Sequence, residues 1–69
     1  MNPQVGNIVE FSSNRRMLHG HGQVIRIFRE CPPFAKDHIL VESHEVSGEH
    51  TYIKLWFSAS EIISIISEG

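Results

Sequence analysis

The sequence predicts an all-β fold, a small barrel of five short strands with one helical turn before the last strand. Three observations support this prediction. Val and Ile total 14 residues against 7 for Leu, Met and Ala, and β-branched residues favour strands over helices. Short apolar runs alternate with turn-forming residues along the chain. The length of 69 residues suffices for one domain, 1–69, and leaves no room for a second.

The first predicted strand covers residues 5–11. Its alternation turns one apolar row inward, formed by Val5, Val9 and Phe11. The polar run 12–16 predicts a loop, and we expect Met17 and Leu18 to fasten that loop to the core.

The second predicted strand runs over residues 23–29, after Gly20-His21-Gly22. Apolar side chains occur on both of its faces, so we expect a central strand or one bent sharply between two sides of the barrel. The strand is expected to end at Cys31-Pro32-Pro33, because proline cannot donate to a ladder. A third strand over residues 38–43 follows the next loop.

A hairpin connection at residues 46–49, with Gly48 placed for a positive φ, leads into a fourth strand over residues 51–57. Period-two alternation divides this strand into two rows of side chains. The row predicted to point inward contains Thr51, Ile53, Leu55 and Phe57. The row predicted to point outward contains Tyr52, Lys54 and Trp56.

Residues 58–67 allow two predictions. Ser58 and Glu61 have the S-x-x-E spacing of a capped helical turn. After that turn, the β-branched run 62–66 favours a fifth strand. A helix over residues 58–67 is the alternative, because Ile62, Ile65 and Ile66 also share a helical face.

The order of these elements resembles the small SH3-like barrels, including the KOW-type group and the type II dihydrofolate reductases. The segments that carry the resemblance are Val5–Val9, Gly22–Ile25 and Trp56–Glu61. The resemblance implies an architecture far more than an activity. In the reductases the equivalent of strand four carries a Val-Gln-Ile-Tyr pore motif. Its best counterpart here, Ile53–Trp56, has Lys54 for the glutamine and Trp56 for the tyrosine, so a reductase is the most distant alternative and no catalytic residue is assigned.

Charge is divided unevenly along the chain. The net charge of −2 combines +3 over residues 1–36 with −5 over residues 37–69. A possible phosphate-contacting patch consists of Arg15, Arg16, Arg26 and Arg29. Tyr52 and Trp56 could add base stacking if they share that face. The alternatives are a solvated loop, or packing of the positive half of one subunit against the negative half of another.

Two large aromatic residues on the solvent side of a strand predict a contact surface, unless a loop covers them. Tyr and Trp are favoured interface anchors, and a small domain without a disulfide commonly gains stability from a partner. We therefore predict a non-enzymatic binding module that contacts proteins through Tyr52, Lys54 and Trp56. The expected partner is a second copy of the chain or another protein. Nucleic-acid binding through the four arginines is the alternative.

Compartment and metal binding complete the sequence expectations. Cys31 is the single cysteine, and the chain has neither a signal-peptide pattern nor an apolar run of membrane-spanning length, so we expect a cytoplasmic protein with no membrane partner. His19 and His21 could form a metal pair, and His44 and His50 could approach each other across the hairpin. No recognised ligand spacing accompanies them, so neither a metal nor a cofactor is predicted.

Overall fold

A five-stranded antiparallel sheet organises the chain, in the order β4-β3-β2-β1-β5. The computed structural model describes residues 2–29 and 37–68. The strands are β1 (Ile8–Ser13), β2 (Leu18–Arg29), β3 (Asp37–Ser43), β4 (Ile53–Ser58) and β5 (Ile62–Ser67). A 3-10 turn, Ala59–Glu61, separates β4 from β5. The all-β class, the five strands and the helical turn before the last strand are confirmed, whereas the alternative helix over residues 58–67 is wrong.

The core lies on the concave face of this sheet. Its buried apolar side chains are Val9, Phe11, Val24, Ile39, Val41, Val46, Phe57 and Ile62. Two strands separate β1 from β4 in the sheet, yet the rings of Phe11 on β1 and Phe57 on β4 have centroids 4.7 Å apart. The sheet therefore curls until the inner faces of β1 and β4 meet.

β2 connects the two halves of the sheet, because it pairs with β1 through its first half and with β3 through its second half. The β2–β3 register shifts between Val24 and Arg26, as a bulge requires. A Cβ atom on Gly22 would lie 2.5 Å from the Glu42 carbonyl oxygen and 2.6 Å from Val41 Cγ1, so only glycine allows this approach. The expectation of a central strand is confirmed, because β2 is the middle strand of the sheet.

Two residues predicted to face the core lie outside it. Val5 is 62% exposed, because β1 begins only at Ile8 and Val5 belongs to a turn. Gly6 has a φ of 98° in this turn, which aims the chain into β1. Met17 is 85% exposed with a φ of 57°, a turn conformation, and only Leu18 packs against the core.

The connection between β3 and β4 folds back onto the start of β2. Ser47 and Gly48 have φ values of 53° and 80°, so the predicted positive φ at Gly48 is confirmed. Val46, beside this tight turn, is only 4% exposed and bridges to Gly20. Thr51 is exposed rather than inward, because the connection extends further than predicted and β4 begins at Ile53.

The predicted end of strand two at Cys31-Pro32-Pro33 lies outside the described residues, the last of which in β2 is Arg29. Within residues 2–29 and 37–68, no helix has the length and apolarity that crossing a membrane requires.

Candidate functional site

The outer face of β2, β3 and β4 carries a cross-strand row of side chains centred on Trp56. Trp56 pairs with Leu40, and Leu40 pairs with Arg26. The next row contains Phe28 beside His38. We call these residues the Trp56 surface: Arg26, Phe28, His38, Leu40 and Trp56.

The alternation predicted for β4 is confirmed over the strand itself. Phe57 is fully buried, and Ile53 and Leu55 pack against the core. Lys54 is exposed, and Trp56 is 38% exposed. Neighbouring loops therefore cover Trp56 only in part, and its ring contributes to the outer surface.

Trp56 lies between two grooves. The first, of about 370 Å³, is mainly apolar, and its walls come from Arg26, Ile27, Phe28, His38 and Trp56. The second, of about 540 Å³, is polar and includes Arg15, Arg16, Ser60 and Glu61 as well as Trp56. Trp56 thus lines both an apolar groove and a charged groove.

Arg16 fastens the β1–β2 loop to the edge of β4. Its Nη1 donates to the carbonyl oxygen of Trp56 at 2.7 Å. Its guanidinium carbon lies 5.3 Å from the centroid of the Phe57 ring, a cation–π distance. Arg16 therefore occupies an outward-pointing carbonyl of an edge strand and fixes the backbone that carries the indole.

Glu61 also lines the charged groove. The backbone N–H of Ser58 donates to Glu61 Oε1 at 3.0 Å and the Ser58 hydroxyl at 3.1 Å, which confirms the predicted S-x-x-E cap. Burial alone would raise the pKa of Glu61, but hydrogen bonds from Ser13 and Ser58 and the charge of Arg16 lower it below its usual value. Since the buried Ser13 hydroxyl reaches no partner at full hydrogen-bonding geometry, we assign the lowered pKa mainly to Ser58 and Arg16.

Tyr52 shares the outward row but lies beyond the opposite end of β4. Its hydroxyl donates to Glu42 Oε2 at 2.8 Å, and its ring centroid lies 5.0 Å from that of His44. The hydrogen bond to Glu42 is the main cause that raises the pKa of Tyr52. Tyr52 and Trp56 therefore belong to different surroundings, with Lys54 between them and opposite Glu42.

Three of the four arginines predicted to bind nucleic acid line the grooves that Trp56 also lines. Arg26 borders the apolar groove, and Arg15 and Arg16 border the charged groove. Arg29 lies at the end of the β2–β3 pair, where its Nη1 is 2.6 Å from Asp37 Oδ2.

His19 and His21 lie two residues apart on β2, both exposed, so they share one side of the strand as expected for an extended segment. His44 packs against Tyr52, and no group of three or more His, Cys, Asp or Glu side chains has metal-binding geometry in the described part of the chain.

Sequence reasoning missed Phe28, His38 and Leu40 as site residues. Phe28 is 56% exposed beside Trp56, although an apolar residue in a central strand normally faces the core. The signal was present in the apolar residues on both faces of strand two, but the bulge after Val24 decides which of them point outward.

Comparison of the chain with protein-family models, with curated proteins and with solved structures gives no significant match.

Proposed function

We propose that the chain is a non-enzymatic binding module of SH3-like barrel architecture that contacts proteins through the Trp56 surface. Four features support the architecture: β5 beside β1, the long bent β2 shared by both halves of the sheet, the 3-10 turn before β5, and the contact between Phe11 and Phe57. These features match the element order that carried the resemblance in the sequence.

The observation that carries the function is the pair of exposed aromatic rings beside an arginine. Trp56 is 38% and Phe28 56% exposed, and both line the groove that Arg26 also borders. Trp and Arg are enriched among the residues that dominate binding energy in protein interfaces. Fully burying one large apolar side chain contributes about 1.5–3 kcal/mol. A partner that covers the exposed parts of both rings gains a share of that energy from each.

Two of the arginines near Trp56 remain without a paired carboxylate in the described part of the chain. Glu61 accepts from Ser58 and interacts with the charge of Arg16, and Asp37 pairs with Arg29. Within the described residues neither Arg15 nor Arg26 has an ion-pair partner. The Trp56 surface is therefore suited to a partner that combines apolar and acidic groups.

Single-stranded nucleic acid is the second candidate ligand, because Arg15, Arg16 and Arg26 surround an exposed indole. Stacking on an aromatic side chain contributes about 1–3 kcal/mol per base. We favour protein, since the chain is acidic overall and since Glu61 lines the charged groove where a phosphate would lie.

The proposed function is tested by affinity capture from a nuclease-treated cell lysate. The immobilised wild-type chain is compared with Trp56→Ala and with Ile66→Ala, which removes an exposed apolar side chain on β5. We expect a protein that is retained by wild type and by Ile66→Ala and lost by Trp56→Ala. Retention of the same proteins by all three chains would refute the proposal.

The nucleic-acid candidate has its own measurement, the fluorescence anisotropy of a labelled single-stranded oligonucleotide. Phosphate contacts predict binding that weakens steeply with salt and that is reduced by Arg15→Glu and Arg26→Glu. Because we favour protein, we expect no binding beyond the level of the Arg15→Glu chain.

A further inference from the structure

We propose that the Trp56 surface of one copy binds the acidic connection end of a second copy, so that chains associate head to tail. We define the acidic connection end by four residues of the β3–β4 connection and its flanks: Glu42, Glu45, Glu49 and Tyr52. This inference rests on the proposed function and names the partner of the same surface.

Opposite charges are separated along the β3–β4 pair. Glu45 and Glu49 are exposed in the connection, and neither carboxylate has an ion-pair partner within the described residues. At the other end, Arg15 and Arg26 are likewise exposed and unpaired in the described part of the chain. The β3–β4 connection thus carries carboxylates, whereas the guanidinium groups of β2 and of the β1–β2 loop border the grooves beside Trp56, at the other end of β4.

The two ends cannot neutralise each other within one copy. Four residues of extended chain separate Tyr52 from Trp56, about 13 Å at the usual rise of a strand. That separation exceeds the Debye length of about 8 Å at physiological ionic strength. A second molecule can bring the carboxylates of Glu45 and Glu49 into contact with Arg26.

The chemistry of the two surfaces is complementary. A planar guanidinium such as that of Arg26 binds carboxylates through paired hydrogen bonds. Tyr52 is 53% exposed and its hydroxyl already donates to Glu42, so the part of its ring that His44 does not cover is presented without an unmet polar group. Trp56, Phe28 and the Tyr52 ring can then be buried together, with the ion pairs around them.

Such contact is heterologous, because the two surfaces that meet are different. Each added copy offers a fresh acidic end and a fresh Trp56 surface. Association therefore grows with concentration into open chains or closes into a ring, and weakens as salt screens the ion pairs.

A mixing experiment tests this geometry. Arg26→Glu alters only the Trp56 surface, and the double variant Glu45→Lys, Glu49→Lys alters only the acidic end. All three side chains are exposed, so both chains are expected to fold, which circular dichroism checks. Neutral variants, Arg26→Ala and Glu45→Gln with Glu49→Gln, repeat the test without introduced repulsion.

By sedimentation velocity, wild type is expected above the mass of one chain, and each charge variant alone at the mass of one chain. An equimolar mixture of the two neutral variants is expected at twice that mass, because one intact acidic end meets one intact Trp56 surface. In the mixture of charge-reversed variants the altered surfaces also have opposite charges, so that mixture is expected to associate at least to twice that mass. A mixture that stays at the mass of one chain, or variants that still associate alone, would overturn head-to-tail binding.

The outcome is separable from that of the proposed function. If wild type sediments as a single chain at every concentration while Trp56→Ala still loses a captured protein, self-association is refuted and the binding module stands. If an oligonucleotide binds and Arg26→Glu abolishes its binding, the Trp56 surface serves nucleic acid and both proposals fail.

Discussion

Each end of the β3–β4 pair has an exposed aromatic residue, and the two residues have different neighbours. Tyr52 is 53% exposed, but its hydroxyl is bonded to Glu42 and its ring packs against His44. Trp56 is less exposed, at 38%, yet it lines two grooves that arginines also line. The two ends therefore differ in the neighbours and charges around the aromatic residue more than in its exposure.

Both ends of the β3–β4 pair pack on the same core. A substitution in that core is expected to have the largest effect on the free energy of unfolding. Phe57→Ala removes the ring that contacts Phe11 and supports Arg16. We expect a loss of about 3–5 kcal/mol in the free energy of unfolding, measured by urea denaturation. The control, Ile63→Ala on the exposed side of β5, is expected within about 0.5 kcal/mol of wild type. A Phe57→Ala chain as stable as this control would contradict the description of the core.

The close approach of β2 to β3 depends on Gly22. Gly22→Ala places a Cβ atom 2.5 Å from the Glu42 carbonyl oxygen. We expect a loss of about 1–3 kcal/mol, the usual cost of overpacking, again by urea denaturation. Substituting alanine at the adjacent exposed position, Gln23→Ala, serves as the control. Equal stability of the two variants would show that β2 approaches β3 less closely than described.

The contact by which Arg16 holds the backbone at Trp56 is tested by comparing Arg16→Ala with Arg15→Ala. Arg16→Ala loses the hydrogen bond to the Trp56 carbonyl and the contact with the Phe57 ring, for a cost of about 1 kcal/mol. Arg15→Ala removes a like charge without a partner in the described residues, and is expected within about 0.5 kcal/mol of wild type. Emission of the single tryptophan should shift in Arg16→Ala only. Identical emission from both variants would count against the Arg16 contact.

The smallest expected effects are those of pH, and they have opposite directions at the two ends. Because the pKa of folded Glu61 is lowered, its stabilisation is present at neutral pH and is lost as pH falls through that lowered value. Because the pKa of folded Tyr52 is raised, its stabilisation is present at neutral pH and is lost as pH rises through that raised value. Melting temperatures across pH should show Glu61→Gln flattening only the acidic limb and Tyr52→Phe only the alkaline limb. A variant that flattens the other limb, or neither, would refute the assigned contact.

Local patterns predicted much of this molecule. The alternation of β4, the cap between Ser58 and Glu61, and the positive φ at Gly48 each depend on residues within a few positions of one another. Such short-range geometry can be inferred from spacing and residue type.

Features that depend on distant partners escaped prediction. Arg16 bonds a carbonyl 40 residues away. Val46 is buried only because its connection folds back onto Gly20. Phe28 joins the Trp56 surface because the bulge after Val24 changes the face to which later residues of β2 point. Tyr52 and Trp56 were grouped correctly by face, but spacing could not show that Glu42 and His44 hold one of them.

The most direct test of head-to-tail binding is a concentration series of NMR spectra on the isotope-labelled wild-type chain. The chain has one tryptophan, so its indole N–H reports Trp56 alone. As concentration rises at low salt, we expect the Trp56 indole and the Glu45 and Glu49 amides to shift together, with Ile63 and Ile66 unchanged. High salt should reverse these shifts. Shifts confined to Ile63 and Ile66, with Trp56 and both glutamates unchanged, would contradict the assignment of the Trp56 surface and the acidic connection end as the two halves of the contact.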